Sequence, residues 1–185
     1  MTPEERRITA DRILYDRGLL NRLAQIGTPH VIGSCRMDMM SWNDLDIDVE
    51  NDGMSREKLY DLTTSILKSY HPLWYEAKEE IDGEGKTVWF HGFEAMIDGE
   101  LWNFDIWFFS KETIAEAEAF CDRTTQMIRS QPGSREAILT IKQELIGREM
   151  YGLYTSMDVY RAVLDQGIRS TEEFLAQYRK QKNRI

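Results

Sequence analysis

The sequence predicts an α+β protein, and three observations carry that reading. The front half is rich in strand patterns interleaved with helical ones. Everything after Ser110 reads as helix. Between them, Asp98 and Gly99 form a two-residue hairpin signal flanked by alternating apolar residues. The expected architecture is a mixed β-sheet flanked by helices over residues 1–110, with a C-terminal helical region over 111–185 packed on it.

The elements follow in order. Thr2, Pro3, Glu4 and Glu5 make a helix start: a hydroxyl cap, a proline in the first turn, then acids at the positive end of the dipole. Ile13, Leu14, Leu20, Leu23 and Ile26 recur near the helical period, and Gly27 with Pro29 ends the run, so a helix is expected to about Ile26. A short apolar piece, His30 to Ile32, leads into Gly33 and Ser34. Leu45 to Glu50 alternates strictly between apolar and acidic residues, which is the two-residue period of a half-buried strand. After the turn residues Asn51, Asp52 and Gly53, a helix is expected from Ser55 to Lys68, closed by His71 and Pro72. Strands are expected at Leu73 to Glu79, Lys86 to Ile97 and Glu100 to Phe109. Helices are expected at about 111 to 130, 134 to 150, 155 to 166 and 170 to 181, punctuated by Pro132, Gly133, Gly152 and Gly167.

Composition narrows the function. The 185 residues are 42% hydrophobic, enough for one globular domain with a helical appendage, and 5 Trp, 8 Tyr and 7 Phe supply ample surface to bury. With 23 Lys plus Arg against 32 Asp plus Glu, the net charge of −9 argues against nonspecific phosphate contacts to nucleic acid, which need a positive surface. Two cysteines, Cys35 and Cys121, are too few for a disulfide scaffold. The charged N-terminus has no signal-peptide core and no run is long enough to span a bilayer, so a cytoplasmic protein is expected.

The chemistry is concentrated between His30 and Glu50. Alternation places Asp44, Asp46 and Asp48 on one strand face, where neighbouring carboxylates repel unless a cation neutralises them. Hard oxygen ligands suit Mg²⁺ together with substrate phosphates. A second piece, ELWNFDIWFF, holds Asp105 as the lone acid in an aromatic-rich strand. If that strand lies beside Leu45 to Glu50, Asp105 completes a three-carboxylate cluster able to hold two Mg²⁺ ions for in-line nucleotidyl transfer. The Gly33-Ser34 turn suits the same chemistry, since glycine admits a phosphate close to the backbone and a helix opening over 34–40 would present free N–H groups.

In these residues the chain resembles the nucleotidyltransferase superfamily with the DNA polymerase beta type palm. That pattern is a Gly-Ser turn, then Asp-x-Asp on a strand, then a third Asp on a later strand. The matching positions are Gly33 and Ser34, Asp44 and Asp46 in NDLDIDV, and Asp105 in NFDIWF. The order and intervals are similar to those of small bacterial members such as antibiotic nucleotidyltransferases, and the segment IKQELIGREMYGLYTSMDVYRAVLDQGIRSTEEF resembles the helical tail of bacterial members. The resemblance implies a mixed sheet flanked by helices, NTP bound with two metal ions, and transfer of a nucleoside monophosphate to an acceptor hydroxyl. In that reading Asp44, Asp46 and Asp105 are the metal ligands and catalytic acids, with Asp105 as general base. Two departures stand: Asn43 replaces the Ser often found before the first acid, and Asp48 stands where an apolar residue is usual. The acid pair is therefore Asp44 with Asp46 or, alternatively, Asp46 with Asp48.

The remaining candidates carry alternatives. Arg36 is the one arginine between Ser34 and Asp44 and is a candidate nucleotide ligand. Lys142 reaches a phosphate or is a solvated charge. Cys35 reads as a small buried residue, and His30, His71 and His91 lack zinc-ligand spacing. Trp42, Trp102 and Trp107 flank the acids and serve either core packing or stacking, and Tyr151, Tyr154 and Tyr160 read as packing residues of the tail. The acceptor is expected to be a small molecule such as a cationic antibiotic, or a protein. A noncatalytic, antitoxin-like module on the same fold is the competing reading, and a nuclease is a weaker third that the acidic charge disfavours.

Overall fold

The computed structural model describes residues 1–83, 85–150 and 152–182, with side chains described through 178. Tyr151 therefore lies outside the described residues. The chain divides into two compact units, Met1–Cys121 and Asp122–Ile185.

The first unit is built on a five-stranded mixed sheet in the order β1-β2-β5-β4-β3. The strands are β1 (Thr28–Val31), β2 (Asp44–Glu50), β3 (Trp74–Ile81), β4 (Thr87–Ile97) and β5 (Glu100–Phe109). β2 runs parallel to β5, and the other neighbours are antiparallel. The β4–β5 turn forms as its sequence predicts: Asp98 and Gly99 both take positive φ, 54° and 87°, as a type I′ hairpin demands.

Helices cover one face of this sheet. α1 (Pro3–Asp11) opens with a reciprocal capping box between Thr2 and Glu5. The long N-terminal helix predicted to Ile26 is broken: a π-helical turn follows at Arg12–Asp16, and Gly18 adopts φ 74° before α2 (Leu19–Leu23). Glycine enters this left-handed conformation without a Cβ penalty, so the apolar period continues while the axis does not. α3 is a single turn, Gly33–Arg36, shorter than the helix expected over 34–40. α4 (Arg56–Tyr70) is capped by the Ser55 side chain and ends at His71 in a left-handed conformation.

The core lies between these helices and the covered face. Leu45, Ile47, Val49, Phe93, Phe104 and Ile106 from the sheet form one cluster with Ile13, Leu23, Leu62 and Ile66, every one of them at most 2% exposed. Phe93 and Phe104 stack with ring centroids 4.2 Å apart. Trp102, a stacking candidate in the sequence, belongs to this core at 0% exposure.

The remaining helices are α5 (Lys111–Ser130), α6 (Ser134–Gly147), α7 (Ser156–Leu164) and α8 (Thr171–Lys182), and the division between the units falls within α5. In the second unit α6 packs against α7 and α8. Thr155 caps α7 reciprocally with Asp158, and Tyr154, Phe174 and Tyr178 make an aromatic cluster.

Candidate active site

Strand alternation and one parallel register build the site. β2 buries Leu45, Ile47 and Val49 against the helices and thereby presents Asp44, Asp46 and Asp48 on the opposite face. The parallel pairing sets Asp46 opposite Asp105 and Asp44 opposite Asn103. Asp44, Asp46 and Asp105 each offer a carboxylate oxygen, and the three oxygens lie within 4.8 Å of one another. Among the described residues this is the group of His, Cys, Asp and Glu side chains placed to hold a metal ion. Asp48 is outside it, 2% exposed and in the row of Trp107.

The Gly33-Ser34 turn closes over these acids. The Ile32 amide donates to the Asp46 carbonyl at 3.1 Å, which ties the end of β1 to β2 just before the turn. Gly33 then takes φ 63°, and any Cβ there would collide with the Asp46 carboxylate, lying 2.8 Å from its Cγ. Both the backbone angle and the space exclude a side chain at this position. Ser34 is 8% exposed, and its hydroxyl has no hydrogen-bond partner. A buried unpartnered hydroxyl costs about 1–3 kcal/mol, so the turn carries an unmet polar group beside the acids.

Asn103 organises the acids from below. Its backbone amide donates to the Asn43 carbonyl at 2.9 Å, and its side-chain amide donates to Asp44 Oδ1 at 2.8 Å. The same side chain hydrogen-bonds Asp105. Asn43 is held in turn, accepting from Arg6 Nε at 3.1 Å and donating to the Leu101 carbonyl at 3.0 Å. Burial raises the Asp105 carboxyl above its usual range, and the Asn103 hydrogen bond opposes that rise.

A second polar group borders the site. His30 pairs with Asp48 across β1 and β2, and its Nδ1 lies 3.2 Å from Glu118 Oε1. Arg36 Nη1 reaches the same Glu118 oxygen at 2.9 Å. Burial pushes the Asp48 carboxyl up to about 7; His30 nearby opposes the shift and Glu118 adds to it. Cys35 is fully buried and burial drives its thiol up to about 11, which leaves it an inert packing residue.

Of the seven residues singled out from the sequence, the structure brings six to this region of the first unit: Gly33, Ser34, Arg36, Asp44, Asp46 and Asp105. Lys142 lies in the second unit on α6. It is 2% exposed with its ammonium 5.5 Å from the Tyr160 ring centroid, so the solvated-charge reading of this lysine is excluded. Two residues of the site were not singled out. Asn103 sits two positions before Asp105 on the same strand face, and that spacing was the available signal. Gly92 faces Asp105 from β4 and could be found only through the strand register.

The fold is that of the nucleotidyltransferase palm, and the site on it is a carboxylate triad beside a Gly-Ser turn. Solved structures similar to this chain carry the same fold. One is a poly(U) polymerase with Mg and 3′-dATP bound, at 14% sequence identity and a TM-score of 0.51, covering 79% of this chain and 43% of that one. Another is a cytoplasmic RNA terminal U-transferase, at 16% identity and a TM-score of 0.52, covering 84% of this chain and 46% of that one. The chain thus spans less than half the length of either. No family model matches the sequence, and no curated protein does.

Proposed function

We propose that this chain is a metal-dependent nucleotidyltransferase that moves a nucleoside monophosphate from an NTP to an acceptor hydroxyl. The observation that carries the reading is the convergence of Asp44, Asp46 and Asp105 beneath the Gly33-Ser34 turn. The residues fit the ions and the nucleotide they would hold: three hard carboxylates suit Mg²⁺, Gly33 lets the Asp46 carboxylate lie directly against the turn, and the orphaned Ser34 hydroxyl suits a phosphate oxygen.

Asp44, Asp46 and Asp105 would hold two Mg²⁺ ions, which when bound supply charge neutralisation for the attacking and leaving oxygens. The chain's own residues do the rest. The Gly33-Ser34 turn receives the triphosphate, and Arg36, anchored by Glu118, adds positive charge at the same edge. Asp105 takes the proton of the acceptor hydroxyl. The acceptor oxygen bonds to the α-phosphorus, the bond from that phosphorus to the bridging oxygen breaks, and pyrophosphate leaves. The acceptor itself is a small molecule or a protein, since a chain of net charge −9 is poorly suited to a polyanion.

The test is pyrophosphate release from ATP, GTP, CTP and UTP with Mg²⁺, against pools of small-molecule and protein hydroxyl acceptors. The reading requires release with one nucleotide that needs both Mg²⁺ and an acceptor and disappears in Asp46→Asn. Release that survives Asp46→Asn would overturn it.

A further inference from the structure

β3 is the outer strand of the sheet, and among the described residues no strand pairs with its far side. The Asp82 amide donates to the Lys86 carbonyl at 2.9 Å, in register with the β3–β4 pairing, so the even-numbered residues of β3 bond to β4. The amides and carbonyls of Tyr75, Ala77, Glu79 and Ile81 therefore point outward, and among the described residues no hydrogen bond reaches them. Large apolar side chains gather on the same edge: Leu73 is 70% and Ile81 68% exposed, and Trp74 and Tyr75 are exposed as well. An open strand edge with apolar residues in water is a template for another strand. We propose that this edge pairs with the β3 edge of a second copy of the chain, antiparallel and centred on Ala77, to give a symmetric dimer. The pairing stands independently of the nucleotidyl-transfer reading.

Charge selects the second copy and its register. Sliding one antiparallel strand along the other changes which side chains stand opposite, and like charges placed opposite destabilise the pair. Centred on Ala77, the pairing sets Glu76 opposite the partner's Lys78 and, by symmetry, Lys78 opposite the partner's Glu76. Leu73 then meets the partner's Ile81, Trp74 the partner's Glu80 and Tyr75 the partner's Glu79. No like charges stand opposite in this register. Centring the pair on Glu76, Lys78 or Glu79 instead sets that residue against its own copy, like charge to like charge.

The acids of β3 do not bar a second copy. Lys78 pairs with Glu76 at 3.3 Å and Glu80 at 2.7 Å, and Arg56 from α4 pairs with Glu79, so much of the strand's negative charge is met within the chain. Glu76 lies in the row of Asp46, Asp105 and Gly92, on the face that carries the acids. A two-fold axis through Ala77, perpendicular to the sheet, keeps that face on one side. The dimer is then one continuous sheet with both carboxylate triads on the same side, and Leu73 and Ile81 leave water on the other.

The test is sedimentation velocity on the full chain at rising concentration, with unfolding midpoints measured for every variant. The wild type is expected to pass from monomer to dimer. Ala77→Pro removes an outward amide that its own sheet does not use, which an edge strand tolerates, and is expected to stay monomeric with its midpoint kept. Glu76→Lys and Lys78→Glu each set like charges opposite in a homodimer, and each alone is expected to weaken dimerisation about tenfold or more. Mixed in equal amounts, the two variants restore Lys–Glu pairing at both positions and are expected to dimerise as the wild type does. A wild type that stays monomeric up to millimolar concentration, or a dimer unaffected by Ala77→Pro, would overturn the pairing. So would charge variants that dimerise like wild type or fail to recover on mixing, and they decide the matter if Ala77→Pro lowers the midpoint.

Discussion

Within β2, Leu45, Ile47 and Val49 are fully buried against helices, and the alternate residues Asp44, Asp46 and Asp48 are all acids on the other face. β5 repeats the division, with Phe104, Ile106 and Phe108 in the core and Asn103, Asp105 and Trp107 on the opposite side. Two residues adjacent in sequence thus answer to different physics. The apolar face stabilises the fold by removing surface from water, about 25 cal/mol per Å², and tolerates changes poorly because its packing is dense. The acidic face contributes little to stability and carries the arrangement of charge. The same strands fix both, so a rigid core face is what holds the carboxylates at working distance.

Mutations on the two faces should separate cleanly. The largest expected effect is on the acidic face: Asp46→Asn should lower nucleotidyl transfer on the order of a thousandfold or more while the unfolding midpoint stays near that of wild type. Pyrophosphate release and thermal unfolding, measured together, check this. Phe104→Ala should do the reverse, destabilising by about 3–5 kcal/mol through lost burial and the cavity left under Phe93. Chemical denaturation reads that loss directly.

His91 offers a pH-dependent version of the contrast. It lies on the core face at 0% exposure, and burial lowers its pKa from 6.5 to about 4. Unfolded chains bind a proton below pH 6.5 that the folded chain refuses until about pH 4. The His91 contribution to stability should therefore fall as pH drops through that window, by about 3 kcal/mol at about 1.4 kcal/mol per unit, while Asp48, whose carboxyl burial raises to about 7, contributes with the opposite sign. His91→Gln should gain stability relative to wild type as pH drops from 6.5 to 4, and a difference between the two proteins that does not change with pH would contradict this assignment. The smallest effect is expected at Asn103, which touches both Asp44 and Asp105. Asn103→Ala should weaken Mg²⁺ binding about 10–100-fold, as loss of a supporting hydrogen bond around metal ligands does. A Mg²⁺ titration in the absence of nucleotide would show it.

Much of this division was legible from sequence because strand alternation is a short-range signal. The strict alternation of Leu45 to Glu50 located β2 and its two faces, and Asp98-Gly99 located the β4–β5 hairpin. The N-terminal helix was less legible, since an apolar period persists across Gly18 while the backbone turns there. The residues Asp44, Asp46 and Asp105 were nameable from sequence, but their convergence depends on β2 running parallel to β5 across about fifty intervening residues. Gly92 depends on register twice removed, from β2 to β5 to β4. Lys142 was misjudged as a candidate solvated charge because its neighbours in sequence do not reveal the Tyr160 ring that covers it.

The most direct test of the acidic face is a thermal-shift panel of ATP, GTP, CTP and UTP, with and without Mg²⁺, on wild type and Asp46→Asn. A ligand at about 100 times its dissociation constant stabilises by about 2.7 kcal/mol, several degrees for a domain of this size. The account predicts a Mg²⁺-dependent rise with at least one nucleotide in the wild type and none in Asp46→Asn, whose unliganded midpoint is unchanged. No rise with any nucleotide, or an equal rise in both proteins, would contradict it.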